Sequence, residues 1–308
     1  MTSLVGTPLN PEVQRNRNAV LWFVLLTFVM TWSLWSLFWL WDIKAPDPHQ
    51  IFKSSSGITV QPKTDPRFVP LALAATLIPG FVAFVVTCGV RRESWRTTTL
   101  DRVGNKQFYL WALLLPPVLV FMTICLSVAT GAARFEPNIA AFEAALLAGA
   151  ILAPEITIYA LAEELGWRGF LLPRLLLSGL GQSQALAVTG LVWGFWHAPI
   201  ILRGYNYWGH PSLGVPMMVV FCVLLGIIIG WLRLAGGSVW VAAAAHTSVN
   251  LTMGLAGCFL VEYDSIVAGS LTSLIGWIPL GAFCAWLAWS RRLPVRGMEI
   301  AKSVEKKA

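Results

Sequence analysis

Two adjacent carboxylates and an arginine interrupt one of the longest apolar stretches of this sequence. Glu163, Glu164 and Arg168 lie within six positions. In a helix that spans lipid, each ionisable residue costs roughly 2.5–3.5 kcal/mol on insertion scales, so three together require a compensating role. Glu164 and Arg168 can meet on one helix face, and Glu163 is then turned about 100° away. This pattern favours a site in which Glu163 faces a cavity while Arg168 pairs with Glu164.

Two of the four histidines lie in apolar segments. His197 ends the run Trp-Gly-Phe-Trp-His, and His246 lies four residues before Asn250, so that its ring and the amide project from one helix face. The other two, His49 and His210, fall in polar loops. A buried carboxylate can act as a general base, while imidazole and amide groups can move protons or stabilise an oxyanion. Together the three apolar segments predict a catalytic site.

Each group taken alone has a simpler interpretation. The Glu-Glu-Arg segment could be a helix end at the membrane interface, where Arg168 and Arg174 reach water and the carboxylates are solvated. His197 and His246 could each be an ordinary hydrogen-bonded histidine of the core. The joint occurrence of the three groups is what favours the site.

The composition places these groups in a membrane protein. Of 308 residues, 56% are hydrophobic and only 12% are charged, which is typical of a chain with many membrane spans. Apolar runs of about 18 or more residues, the length that crosses a layer of about 30 Å, predict about eight transmembrane helices. They cover residues 19–41, 68–90, 108–129, 137–177, 185–202, 214–234, 239–260 and 265–290. We therefore predict an all-α, polytopic membrane helical bundle.

The chain is predicted to be a single membrane domain, 1–308, with a catalytic core at 135–256 and polar cytoplasmic tails at 1–18 and 291–308. The segment 137–177 is longer than one span needs and contains Pro154. It is either one kinked helix or a separate shallow helix over 137–153 followed by the Glu-Glu helix.

The basic residues indicate how the chain is oriented. All but six of the 22 Lys and Arg residues lie in segments predicted to face inward, the six being Lys44, Lys53, Lys63, Arg67, Arg134 and Arg203. This asymmetry predicts that both termini are cytoplasmic. The basic residues are thus explained by the orientation of the chain in the membrane, without a nucleic-acid-binding surface. We find no signal-peptide pattern before the first span. The sequence thus predicts a multi-pass integral protein of the plasma membrane of a bacterial-type cell.

The three polar stretches resemble the motifs of a known family. They are, in chain order, Glu163-Glu164-Leu-Gly-Trp-Arg168, Trp193-Gly-Phe-Trp-His197 and His246-Thr-Ser-Val-Asn250. They are similar to Glu-Glu-x-x-x-Arg, Phe-x-x-x-His and His-x-x-x-Asn or Asp of the CPBP intramembrane proteases. That group includes the CAAX prenyl endopeptidases and the bacterial abortive-infection proteins. The resemblance covers about residues 135–256. Trp193 stands where the family usually has Phe, which points to an effect on substrate fit more than on chemistry.

The resemblance implies a glutamate-dependent endopeptidase that cleaves a membrane-associated protein, such as a prenylated CAAX-type substrate. By that analogy Glu163 activates the attacking water, His197 positions the water, and His246 with Asn250 stabilises the oxyanion. Three further residues would support the site: Glu164, Arg168 and Trp193. The expected partners are membrane lipid and a peptide or lipidated protein substrate, without nucleic acid.

No cofactor is expected, but zinc stays open as an alternative. Its ligands would be Glu163, His197 and His246, since carboxylate and imidazole are sufficient ligands for zinc. The motifs of other intramembrane proteases are absent from the sequence: His-Glu-x-x-His, Gly-x-Ser-Gly and Gly-x-Gly-Asp.

Two other classes of function fit the sequence less well. A catalytically silent membrane scaffold, or a binding protein of the bacteriocin-immunity type, would not need this set of buried polar groups. A transporter with a proton relay through Glu155 and Glu163 would be expected to show repeated halves, and the sequence shows none.

Overall fold

Helices form most of the regular structure that the computed structural model describes, which comprises residues 10–45 and 65–295. The α-helices are α1 Pro11–Trp35, α2 Leu37–Leu40, α3 Phe68–Thr76, α4 Ile78–Phe84, α5 Gln107–Ala129, α6 Ile139–Glu164, α7 Leu172–Leu177, α8 Gln182–Trp196, α9 Ala198–Ile201, α10 Pro211–Gly236, α11 Val239–Met253 and α12 Leu274–Trp289. The all-α prediction is confirmed. His49 and the outer parts of both predicted tails lie outside the described residues.

Wider or tighter turns extend several of these helices. Val85–Val90 and Leu165–Leu171 are π-helical, whereas Trp95–Thr98 and Gly254–Cys258 are 3-10 turns. One short antiparallel pair joins β1, Arg134–Phe135, to β2, Leu260–Val261. This pair links the connection before α6 to the end of the α11 segment.

Among the described residues, five helical stretches are long and apolar enough to cross a membrane, whereas the sequence predicted about eight. They are Pro11–Leu40, Phe68–Val90, Gln107–Ala129, Ile139–Leu177 and Pro211–Gly236. The other three predicted spans contain shorter helices: α8, α11 and α12. His197 of the predicted site follows α8 directly, and α11 carries His246 and Asn250. The apolar runs continue beyond these helices, but the helices themselves stop short of the length that a complete crossing requires.

Helix α1 begins inside the stretch predicted to be a polar tail. The Asn10 side chain accepts a hydrogen bond from the Glu12 backbone N–H at 2.9 Å, and Pro11 occupies the first helical position. Asn before Pro is a favourable helix start because the asparagine satisfies a free N–H and the proline has none to satisfy. Hydropathy alone places the start later, at residue 19, because residues 11–18 are polar.

The long segment before the Glu-Glu motif is one continuous helix. Asn138 caps α6 by accepting from the Ala141 N–H at 2.9 Å, and the helix runs through Pro154 to Glu164. A separate helix over 137–153 is therefore excluded. The π-helical turn Leu165–Leu171 follows directly, and turns of this kind are frequent at functional sites.

Aromatic packing fixes this π-helical turn against its neighbours. Trp167 lies edge-on to Phe23 of α1, with ring centroids 5.7 Å apart, and to Trp196 of α8 at 5.8 Å. The Trp167 side chain is fully buried. Pairs of this geometry add to the stability that burial itself provides.

Helix α4 crosses the Glu-Glu segment at direct backbone contact. A Cβ atom on Gly166 would come within 2.5 Å of the Pro79 Cβ atom, and one on Gly80 would come within 2.7 Å of the Ala162 carbonyl oxygen. Only glycine permits this approach, which is the usual way for membrane helices to pack closely.

We expect Gly166→Ala to destabilise the fold, since the added methyl group has no room. Overpacking of this kind costs roughly 1–3 kcal/mol. The measurement is thermal unfolding in detergent, with Gly281→Ala as the matched control, because a Cβ atom on that helical glycine meets nothing within 4 Å. Equal unfolding temperatures for the two variants would contradict this account of the crossing.

A network of ion pairs joins the ends of three segments on the predicted cytoplasmic side. Glu93 accepts hydrogen bonds from Arg174 and, at 2.8 Å, from Arg91, while Arg174 also donates to Asn16 at 2.8 Å. Burial by itself raises the pKa of the Glu93 carboxyl, but the hydrogen bonds and charges of Arg174 and Arg91 outweigh burial and hold that pKa below its usual value of 4.5.

This pairing predicts a pH-dependent contribution to stability. A depressed folded-state pKa means that the stabilisation is present above the unfolded value of 4.5 and is lost as the pH falls through the folded value. We expect Glu93→Gln to lower the unfolding temperature at pH 7, because Arg174 stays buried without its carboxylate. The same variant should flatten the decline in stability from about pH 5 to pH 3. Glu136→Gln, an exposed partner of Arg134, is the control and should change neither quantity much.

Candidate active site

The charged residues of the Glu-Glu motif are buried. The exposed fraction is 6% for Glu163 and 0% for Glu164 and Arg168, and the nearby Arg174 is 4% exposed. The interpretation as a solvated helix end is therefore wrong. The hydropathy of the sequence could not predict the burial of these charged side chains, because the residues that cover them belong to other helices.

Glu164 joins two of the three motifs. Its Oε1 atom accepts from Arg168 Nη1 at 2.8 Å and from His246 Nδ1 at 2.9 Å. The predicted contact between Glu164 and Arg168 is confirmed. The contact with His246 was not predicted, and it gives Glu164 a second role: it holds the His246 ring by one nitrogen and leaves Nε2 for another partner.

His197 is held by the backbone of its own helix. Its Nδ1 atom lies 2.9 Å from the Trp193 carbonyl oxygen. A carbonyl oxygen only accepts, so Nδ1 carries the proton and Nε2 of the neutral ring presents a lone pair. This tautomer lets Nε2 accept a hydrogen bond from a water molecule.

The Glu163 carboxylate is held by two indoles. Its Oε2 atom accepts from Trp193 Nε1 at 3.0 Å and from Trp167 Nε1 at 3.3 Å. Its other oxygen, Oε1, accepts no hydrogen bond from the described residues. The carboxylate thus has one restrained oxygen and one that is available to a substrate or to water.

One cavity of about 280 Å³ collects the four predicted catalytic residues. Glu163, His197, His246 and Asn250 all line it. Asn250 is exposed, one helical turn beyond the buried His246. The structure therefore places these four side chains around the same cavity, although they are up to 87 positions apart in the sequence. Most of the remaining wall is apolar and aromatic, and it includes Trp35, Trp196, Met218, Phe221 and Leu225.

A loop that the sequence did not single out also lines this cavity. Tyr205 and Asn206 reach it from the connection between α9 and α10. The loop is anchored by Arg203, whose Nε donates to the Ile43 carbonyl at 2.7 Å, and by Tyr207, whose hydroxyl donates to the Thr272 carbonyl at 3.0 Å. These anchors come from distant segments, so no local sequence signal could have revealed them.

Trp167 was also missed, although a signal for it existed. It lies four residues after Glu163, the same spacing that predicted the contact between Glu164 and Arg168. Extending that reasoning to an indole N–H donor would have found it.

Zinc held by Glu163, His197 and His246 stays an alternative prediction, which elemental analysis of the active protein tests. Among the described residues, no group of three or more His, Cys, Asp or Glu side chains is arranged to hold a metal ion. Glu163, His197 and His246 line one cavity, but they do not form a coordination cluster.

A comparison with known protein families covers the part of the chain that carries this site. The family type II CAAX prenyl endopeptidase Rce1-like matches residues 146–252, a range that contains all three motifs. CAAX prenyl protease 2 of Methanococcus maripaludis is 25% identical over 247 residues, which make up 76% of this chain and 83% of that relative. With the apolar helices, these matches indicate an integral membrane protein. The matches support a peptidase that is similar to the CPBP intramembrane proteases.

Proposed function

We propose that this protein hydrolyses a peptide bond of a membrane-associated protein, using a water molecule activated by Glu163. The observation that carries the proposal is the single cavity lined by Glu163, His197, His246 and Asn250. Each side chain except Asn250 is oriented by a specific hydrogen bond, as a preorganised catalytic site requires.

The first step forms the bond between water and the substrate carbonyl carbon. Glu163 Oε1 takes one proton from the water, and His197 Nε2 accepts a hydrogen bond from the other O–H and so orients the attack. The oxygen of the water bonds to the carbon, and the electron pair of the C=O bond moves to its oxygen. The result is a tetrahedral oxyanion and a protonated Glu163.

His246 and Asn250 face the oxyanion in this proposal. His246 donates from Nδ1 to Glu164, so a second proton on Nε2 makes the ring a cation whose charge Glu164 balances. That Nε2–H and the Asn250 amide would donate to the oxyanion. When the intermediate collapses, the C–N bond breaks and the proton held by Glu163 passes to the leaving nitrogen.

The substrate class that best suits the cavity is a lipidated protein end, such as a prenylated CAAX-type sequence. The catalytic groups adjoin a wall rich in tryptophan, methionine and leucine side chains, and such a wall favours an apolar chain. The name of the archaeal relative supports the same class. We also propose that the protein resides in the plasma membrane with both termini in the cytoplasm, following the distribution of Lys and Arg.

The test uses purified protein in liposomes and two peptides of identical sequence, one prenylated and one not. We expect cleavage of the prenylated peptide with a lower KM, because the isoprenoid adds apolar contacts that the unmodified peptide lacks. Mass spectrometry of the products locates the cleaved bond. Equal kcat/KM for both peptides would contradict the lipidated class and leave a general membrane endopeptidase.

A further inference from the structure

We propose that Trp193 is a positioning residue whose indole N–H determines which oxygen of Glu163 acts as the base. The inference rests on the proposed function of Glu163. It differs from the sequence-based expectation that Trp193 affects substrate fit, because the structure joins this indole to the carboxylate itself.

The first observation is the asymmetry of the Glu163 carboxylate. Trp193 Nε1 at 3.0 Å and Trp167 Nε1 at 3.3 Å both donate to Oε2, and no described residue donates to Oε1. An oxygen that accepts two hydrogen bonds is restrained and is the weaker proton acceptor, since its lone pairs are already shared. The free oxygen, Oε1, is therefore the one that takes the proton from water.

The second observation is that the Trp193 ring is fixed on several sides. It is 2% exposed, the Arg168 guanidinium lies 4.5 Å from its ring centroid, and the His246 ring meets it edge-on at 5.3 Å. The next residue, Gly194, lies so close to α10 that a Cβ atom there would come within 2.6 Å of the Val219 Cα atom. A side chain held in this way can hold another group in place.

The third observation is that this one residue contacts groups from all three motifs. Its indole bonds Glu163 and lies against Arg168 and His246, and its backbone carbonyl accepts from His197 Nδ1. Phenylalanine at this position would keep an aromatic ring beneath Arg168 but would have no donor for Glu163. The N–H, and not the ring, is thus the feature that this chain adds.

The test compares Trp193→Phe and Trp167→Phe with Trp277→Phe in the liposome assay. Trp277 is the matched control, because its buried indole N–H has no hydrogen-bond partner among the described residues and the side chain does not line the cavity. We expect Trp193→Phe to lower kcat by about 10- to 100-fold with little change in KM, which is the size expected for one hydrogen bond to a charged group. Trp167→Phe should lower kcat less, since its hydrogen bond is longer, and Trp277→Phe should leave kcat unchanged.

A second variant separates the N–H from ring packing. Replacement of Trp193 by 3-benzothienylalanine keeps the size and stacking of the bicyclic ring and substitutes sulfur for N–H. We expect the same loss of kcat as for Trp193→Phe. Full activity of this variant would overturn the proposal. Because the variant keeps the bicyclic ring, it tests the N–H even if Trp193→Phe does not fold. If Glu163→Gln were also fully active, the proposed function itself would fail, so the two failures are distinguishable.

Discussion

Glu163→Gln is expected to lower kcat by about 10²- to 10⁴-fold, the contribution typical of a general base. The amide has nearly the shape of the carboxylate, and its oxygen can still accept from Trp193 and Trp167, so the cavity should persist. It cannot take a proton from water, and this is the step that the variant removes. Single-turnover cleavage of the prenylated peptide by purified protein in liposomes measures the loss.

Glu155→Gln is the matched control for this variant. Glu155 lies on the same helix, α6, but its side chain is exposed and does not line the cavity. We expect its kcat to equal that of the unmodified protein. A large loss of cleavage in Glu155→Gln would show that the effect of Glu163→Gln is not specific to the cavity. Full activity of Glu163→Gln would show that another group activates the water.

His246→Ala is expected to lower kcat by about 10²- to 10³-fold, the cost of removing one donor to an oxyanion. KM should change little, because the lost interaction forms only as the intermediate develops. Steady-state kinetics separates the two constants. A rise in KM with unchanged kcat would mean that His246 binds the substrate and does not stabilise the oxyanion.

His210→Ala controls for the loss of a histidine elsewhere. His210 lies in the connection before α10, where its Nε2 atom is 3.0 Å from Asp264 Oδ2, and it is exposed. Its activity should be unchanged. The unfolding temperatures of both variants show whether the loss of activity in His246→Ala comes from a loss of stability. We expect little loss of stability, because the hydrogen bond between Arg168 and Glu164 does not involve the His246 ring.

The features that the sequence predicted correctly depend on residue spacing and residue type within a single helix. The contact of Glu164 with Arg168 followed from a separation of four residues, and it is present at 2.8 Å. The all-α class followed equally directly from the apolar runs. Both are local properties that do not depend on how the helices pack.

The remaining features depend on packing, and local patterns do not encode them. The indole of Trp193 reaches Glu163 only because α8 lies beside the end of α6, and Tyr205 reaches the cavity only because a loop is anchored to distant segments. The lengths of α8 and α11 were overestimated for a related reason. Hydropathy reports only how apolar a segment is. It does not show where the backbone leaves the α-helical conformation, which is where these two helices end.

The length of the segment that carries Glu163 has a consequence for the surrounding lipid. Ile139–Leu177 comprises 39 residues, which rise about 58 Å in a helix, nearly twice the thickness of a typical hydrocarbon layer. A segment longer than the hydrocarbon layer is accommodated by tilting, by kinking or by a local change in bilayer thickness. Ile156 and Tyr159 of this segment line the catalytic cavity. We therefore expect acyl-chain length in the host membrane to act on the same segment that holds the Glu163 carboxylate.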